Sequence, residues 1–249
     1  MITLFQFYRV WGLPNVSPFC MKIETYLRMA KLPYEIKFVN NPQKSPKRKL
    51  PHIKMDGKFY PDSELIIGEL KSRYGDELDR ELTEEQRALG ILVDIAFCES
   101  LYWIMVYLRW QYDAGWEHIK ESMFEKIPAL AKLFIPNMIR KHILKQLDHQ
   151  GTGRYSLQEV VYLGIKNLDA LATVLGEKKY FLGDKPTTVD ATAFSFLVNI
   201  ICTPLDDAFK EHALKQSNII AYCNRMWDEY YTDFAKPKSL LTNSTKNEH

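Results

Sequence analysis

The chain changes character once, near residue 80, and that change constrains its fold more than any other feature. Before Gly75 short β-forming runs alternate with helical patterns; after the acidic stretch from Asp76 to Glu85 nearly everything has a helical period and no convincing strand. Ile2 to Tyr8 is rich in β-formers, and the Gly12-Leu13-Pro14-Asn15 cluster breaks it before an apolar-periodic helix from Pro18 to Met29. Tyr34 to Val39 is expected to form a second strand, followed by a polar, basic loop from Asn40 to Lys49. His52 to Met55 and Lys58 to Tyr60 flank Asp56-Gly57, a strong hairpin signal, and Ser63 to Tyr74 returns to helical spacing. The first 75 residues therefore read β-α-β and then β-β-α. Beyond them, helices are expected at about 83–111, 117–147, 156–175, 187–202 and 206–231, with breaks at Gly115, Gly151-Thr152-Gly153 and Gly183. The expected organisation is an N-terminal unit over 1–78, an all-helical unit over 83–234 and a polar tail over 235–249 that frays.

Lys and Arg number 33 against 31 Asp and Glu, and a net charge of +2 gives no global electrostatic case for nucleic acid as a partner. The four cysteines, Cys20, Cys98, Cys202 and Cys223, are far apart and lack CxxC pairing, which favours a reducing, cytoplasmic setting. Met1 to Val10 lacks the basic region and small-residue cleavage site of an export signal. Of the longest apolar stretches, Leu89 to Leu108 is interrupted by Asp94 and Glu99, and Ala191 to Leu205 is too short to cross a bilayer. Both read as buried helices, and no transmembrane segment is expected.

Several positions carry chemistry in one reading and structure in another. Ser17-Pro18 is a helix start by composition, yet a helix N-terminus after the first strand of a βαβ unit also presents free N–H groups, a positive dipole end and a hydroxyl to an anion. Cys20 completes a CxxC spacing in which Ser holds the first place, or is a small buried residue of the helix face. Leu50-Pro51 either marks a strand start with a trans bond or forms a cis bond; His52 is given no role. Asp62-Ser63 either caps the next helix or clamps a ligand's ammonium and carboxylate. The basic run Lys44, Lys47, Arg48, Lys49, Lys54 and Lys58 is a solvated loop or an attractor for a small anionic peptide. Thr187-Thr188-Val189-Asp190 reads as a structural capping box. Tyr102, Trp103, Val106, Tyr107 and Trp110 recur at helical spacing, as a core stripe or in part as the wall of a cleft.

Taken together, Ser17, Leu50-Pro51, Asp62-Ser63 and the Thr187 to Asp190 box, preceded by Phe181-Leu182-Gly183-Asp184-Lys185-Pro186, resemble the glutathione transferase superfamily in order and spacing. The run from Asn15 to Met29 and the Gly151-Thr152-Gly153-Arg154-Tyr155 segment, followed by Leu168-Asp169-Ala170-Leu171, are similar to its failed-axon-connections and metaxin-like branch. The resemblance implies a thioredoxin-like N-terminal domain with a C-terminal helical bundle, and glutathione as co-substrate with no metal. It implies a cis Leu50-Pro51 bond, with Leu50 pairing the cysteinyl backbone of glutathione and Asp62-Ser63 holding its γ-glutamyl end. Ser17 would activate the thiol, with Tyr8 as the alternative because other classes use a tyrosine there. The thiolate would attack an apolar electrophile in a cleft near Tyr102, Trp103 and Val106; the competing expectation is a non-catalytic binding or scaffold protein of the same fold. The resemblance also implies a homodimer, which the aromatic content between Thr83 and Trp110 supports as surplus apolar surface.

Overall fold

The computed structural model describes residues 1–39, 41–125 and 127–241. Strand β1 (Ile2–Gln6) lies inside a four-stranded sheet of order β2-β1-β3-β4, with β2 Tyr34–Phe38, β3 His52–Met55 and β4 Lys58–Pro61. β1 runs parallel to β2 and antiparallel to β3, and β3 and β4 form the hairpin around Asp56-Gly57. Asp56 and Gly57 both have positive φ, which a tight turn between twisted strands requires. Helix α1 (Pro18–Met29) is capped by Ser17 and α2 (Ser63–Tyr74) by Asp62. The basic loop forms two short 3₁₀ turns, Pro42–Lys44 and Pro46–Arg48; Asn40, at its expected start, lies outside the described residues.

The helical part opens with α3 (Glu84–Gln111), entered through a Thr83/Gln86 capping box. Asp94 and Glu99 do not interrupt it, and by length and composition it could cross a membrane; this corrects the expectation that the stretch is too broken to do so. Its inward face is that of a core helix: Val93, Phe97 and Leu101 are buried, and a Cβ at Gly90 would meet Leu182 at 3.2 Å. Two wider, π-helical turns, Ala96–Leu101 and Tyr107–Gln111, shift the register of its second half. There follow α4 (Asp113–Met123), α5 (Ala129–Lys132), α6 (Ile135–Gln150), α7 (Leu157–Leu175), α8 (Thr188–Ile201), α9 (Ala208–Lys215), α10 (Ser217–Tyr230) and α11 (Lys238–Leu241).

Several boundaries differ from expectation. The break expected at Gly115 falls at Tyr112, whose backbone is extended; Gly115 sits inside α4, where a Cβ would come within 1.8 Å of the Leu108 carbonyl oxygen. The glycine is there for close approach, not for a turn. The expected 117–147 helix is divided around Pro128 and Pro136, each of which opens a new helical segment, and the 206–231 helix is divided at Gln216. The tail is not wholly frayed: α11 forms and Leu240 is buried, while 242–249 lie outside the described residues.

The core is built around α8, in which every residue from Val189 to Ile201 is buried. Its N-terminus carries the expected capping box: Asp190 accepts from the N–H and hydroxyl of Thr187, both at 2.8 Å, from the Phe181 N–H at 3.0 Å and from the Tyr222 hydroxyl at 3.1 Å. Asp190→Ala leaves these buried donors unmet and is expected to lower stability by at least about 3 kcal/mol in urea denaturation. Burial pushes the Asp190 carboxyl up to about 6 from an ordinary 3.8, so the folded chain keeps this proton where the unfolded chain has lost it. The stability it contributes is complete below about pH 4 and is lost as pH rises toward the folded value. That slope disappears in Asp190→Asn, read as the urea midpoint across the window.

Candidate active site

Strand register decides which residues meet. Phe5 pairs with His52, and His52 pairs with Pro61. The end of β1, the start of β3 and the end of β4 therefore lie at one end of the sheet, and Gln6 opposite Phe38 places the end of β2 there as well. From this end depart the loop to Ser17, the Leu50-Pro51 peptide and the Asp62-Ser63 step.

Ser17 is the N-cap of α1, and its Oγ accepts the Cys20 N–H at 3.4 Å. The loop before it is held by Asn15, whose side chain donates to the Phe7 carbonyl at 2.8 Å and accepts the Ser17 N–H at 3.0 Å. No acidic residue stands in the first turn of α1, so its dipole is open to an anion. Cys20 is fully buried, and burial pushes its thiol up to about 12. The position thus follows the small-buried-residue reading: Cys20 sets a buried, neutral thiol against the Ser17 side chain.

Leu50-Pro51 is cis, and both residues are buried. His52 is buried: its ring stacks on Phe5 at 4.4 Å and burial lowers its pKa. Asp62 has φ 77°, and its Oδ1 accepts from the N–H groups of Glu64 and Leu65, so one carboxylate oxygen serves the cap of α2. Ser63 is buried in the first turn. Lys22 anchors this turn to the helical part: its ammonium, 1% exposed, donates to Glu64 at 3.1 Å and to Asp94 of α3 at 2.7 Å. Lys44, Lys47, Arg48, Lys49 and Lys58 are exposed along the neighbouring edge. Tyr8 lies two residues beyond the end of β1 and stacks on Phe38 at 5.0 Å.

Of the cleft residues, Tyr102 meets the α1 N-terminus through Phe19, ring centroids 4.9 Å apart, and packs on Trp103 at 5.1 Å. Val106 faces the core and is 8% exposed. Two residues not singled out in the sequence complete the arrangement. Arg109, in the second π-helical turn, donates to the Val16 carbonyl at 2.7 Å and to Asn199 Oδ1 at 3.0 Å, while Asn199 Nδ2 donates to the Asn15 carbonyl at 3.1 Å. The one sequence signal for Arg109 is a lone cation amid the aromatic stripe from Tyr102 to Trp110.

Residues 18–115 match the glutathione S-transferase N-terminal domain and residues 164–226 the glutathione S-transferase C-terminal domain. The chain is 32% identical to the isoprene-epoxide–glutathione S-transferase of Rhodococcus sp. (strain AD45), over 92% of this chain and 99% of that one. It is also 32% identical to Failed axon connections of Drosophila melanogaster, over 94% of this chain and 59% of that protein's length. Among solved structures, the β-etherase LigF of Sphingobium sp. strain SYK-6 shares the fold at a TM-score of 0.64 with 19% identity, over 97% of this chain and 98% of that one. A thioredoxin-like sheet unit followed by a helical bundle, with both domain matches and a full-length relative, makes the chain a member of the glutathione S-transferase family.

Proposed function

We propose that the protein binds glutathione where the Ser17, Leu50-Pro51 and Asp62-Ser63 segments leave the sheet, and transfers the glutathionyl group to a small apolar electrophile, an epoxide being the favoured class. The observation that carries this reading is the Ser17 cap: a half-buried hydroxyl at the N-terminus of α1, whose first turn holds no acidic residue. The full-length similarity to an isoprene-epoxide transferase supports the electrophile class. A free thiol has a pKa of about 8.5; lowering it by about two units corresponds to about 2.7 kcal/mol of preference for the thiolate. The thiol proton leaves to solvent and the sulfur attacks an epoxide carbon. The C–S bond forms as the ring C–O bond breaks, and the alkoxide takes a proton from water. Phe19, Tyr102 and Trp103 supply the apolar wall.

A second reading, a binding or scaffold protein without turnover, is favoured by the 32% identity to Failed axon connections. Calorimetric titration with glutathione followed by a conjugation assay on a small epoxide separates the two. Binding with turnover is expected; binding alone leaves the scaffold, and no binding at millimolar glutathione removes both glutathione roles.

Ser17→Ala is expected to raise the apparent thiol pKa by about one to two units in the pH–rate profile while changing glutathione affinity less. An unchanged profile transfers the role to Tyr8 or to backbone N–H groups.

We further infer a homodimer in a reducing, cytoplasmic setting. Ile91, Leu92 and Ile95 of α3 are 62%, 64% and 49% exposed, and Leu65 of α2 is 59% exposed. The shared Lys22 brings Glu64 and Asp94 together, so these side chains belong to neighbouring surfaces. Light scattering at micromolar concentration should give twice the chain mass, and Leu92→Glu should halve it; a monomeric wild-type protein contradicts the inference.

A further inference from the structure

Arg109 is a largely buried guanidinium with an unusual set of partners. One Nη donates to the Val16 carbonyl at 2.7 Å; the other donates to the Asn199 carbonyl at 2.8 Å and to Asn199 Oδ1 at 3.0 Å. The indole of Trp11 stands 5.2 Å from its carbon. Every one of these partners is neutral, and among the described residues no carboxylate pairs with it. A buried cation normally recruits one. Burial lowers its pKa to about 10, which leaves it charged at neutral pH.

The place of this charge is specific. The Val16 carbonyl and the Ser17 N–H belong to one peptide unit; Arg109 fixes its oxygen and Asn15 Oδ1 its nitrogen. The charge therefore sits one peptide unit from the N-cap, on the same side of the molecule as Phe19 and Tyr102. The other ionisable groups around it are accounted for. Tyr102, on the same helix, is kept neutral by burial, which raises its pKa. Cys20, on α1, is held neutral in the same way. Asp207 and Lys210, on α9, share a small cavity with Arg109, but Asp207 caps α9 and Lys210 pairs with Asp206. Nothing in this set cancels the guanidinium.

We propose that Arg109 is a positioning residue of the active site: it locks the peptide before Ser17 and supplies an uncompensated positive charge that favours a thiolate at the α1 N-terminus. The proposal rests on the glutathione-thiolate reading for its biological meaning, but its electrostatic content does not require glutathione. Two unit charges separated by one peptide unit interact strongly enough at an effective dielectric near 20 to move a thiol by about one pKa unit or more.

The test places a thiol at the cap itself. In Ser17→Cys, the pH dependence of iodoacetamide alkylation, followed by peptide mass spectrometry to separate this thiol from the four native ones, gives its pKa directly. Adding Arg109→Gln should raise that pKa by about one unit, roughly a tenfold loss of thiolate at neutral pH, and Arg109→Lys should restore most of the difference. Asn199→Asp keeps an acceptor for Arg109 and sets a carboxylate against its charge, at the cost of the Nδ2 donation to the Asn15 carbonyl, and should raise the pKa in the same direction. It provides the measurement if Arg109→Gln does not fold, with circular dichroism melting as the control. A pKa that stays put in folded Arg109→Gln, or in folded Asn199→Asp, overturns the proposal. Because glutathione is absent from this assay, such a failure is distinct from a failure of glutathione to bind in the calorimetric titration.

Discussion

A helix buried on every side has to bring its own polar satisfaction, and α8 is such a helix. Its N-terminal N–H groups cannot reach water, so Asp190 collects Thr187, Phe181 and Tyr222 around one carboxylate. The remaining polar residues of α8 are spent on its neighbours. Thr192 donates to Asp94 of α3 at 2.5 Å, Ser195 shares a hydroxyl contact with Thr25 of α1, and Asn199 reaches the Asn15 carbonyl. The same helix that organises the helical bundle therefore docks the sheet-bearing unit, through α1 and the loop in front of it. That loop carries Ser17, so the placement of the candidate active site depends on how α8 is anchored.

The docking combines apolar and polar contacts along the length of α1. Phe19 packs edge-on to Phe196 of α8 at 5.5 Å and to Tyr102 of α3, while Thr25 bonds the Tyr231 hydroxyl at 2.8 Å. Arg28 extends the seam to Tyr230 and Asp233. Hydrogen bonds whose geometry is tightly defined set the rotation of α1 against α8 more closely than apolar contact can. A reaction centre at the first turn of α1 inherits that precision.

How much of this was legible in the sequence depends on whether the deciding force was local. The bounds of α1 and α2 agree with the sequence reading because Ser17-Pro18 and Asp62 are start signals and Gly75 a stop signal, acting within one turn. The hairpin at Asp56-Gly57 and the Thr187 to Asp190 box are local in the same sense. Gly115 was misread because a glycine signals equally a turn and a close approach, and only the fold back onto Leu108 distinguishes them. The divide at Gln216 has neither glycine nor proline, so no local signal marks it. Val106 shows the limit for cleft residues: helical spacing places it one turn from Tyr102 in the same α-helical segment, yet the packing of the neighbouring core buries it. Arg109 and Asn199 were invisible as site residues because their partners lie about 90 positions away or more in the chain.

The division of labour at Ser17 follows from the same physics. A CxxC-like spacing with Ser first and a buried, neutral Cys20 lacks the two accessible thiols that a dithiol cycle needs, so sulfur chemistry at this site would draw its sulfur from a ligand. Under the proposed transferase function the protein supplies no nucleophile of its own. Its contribution reduces to a hydroxyl proton, a helix dipole and the charges behind them, all of which act by favouring the ionised over the neutral sulfur. Such contributions are worth most when the donors are already in place before the ligand binds, since reorienting them would cost what they gain. The bonds from Asn15, Arg109 and Asn199 to the backbone of the 7–17 loop fix it in that way, the first from within the loop and the other two from α3 and α8.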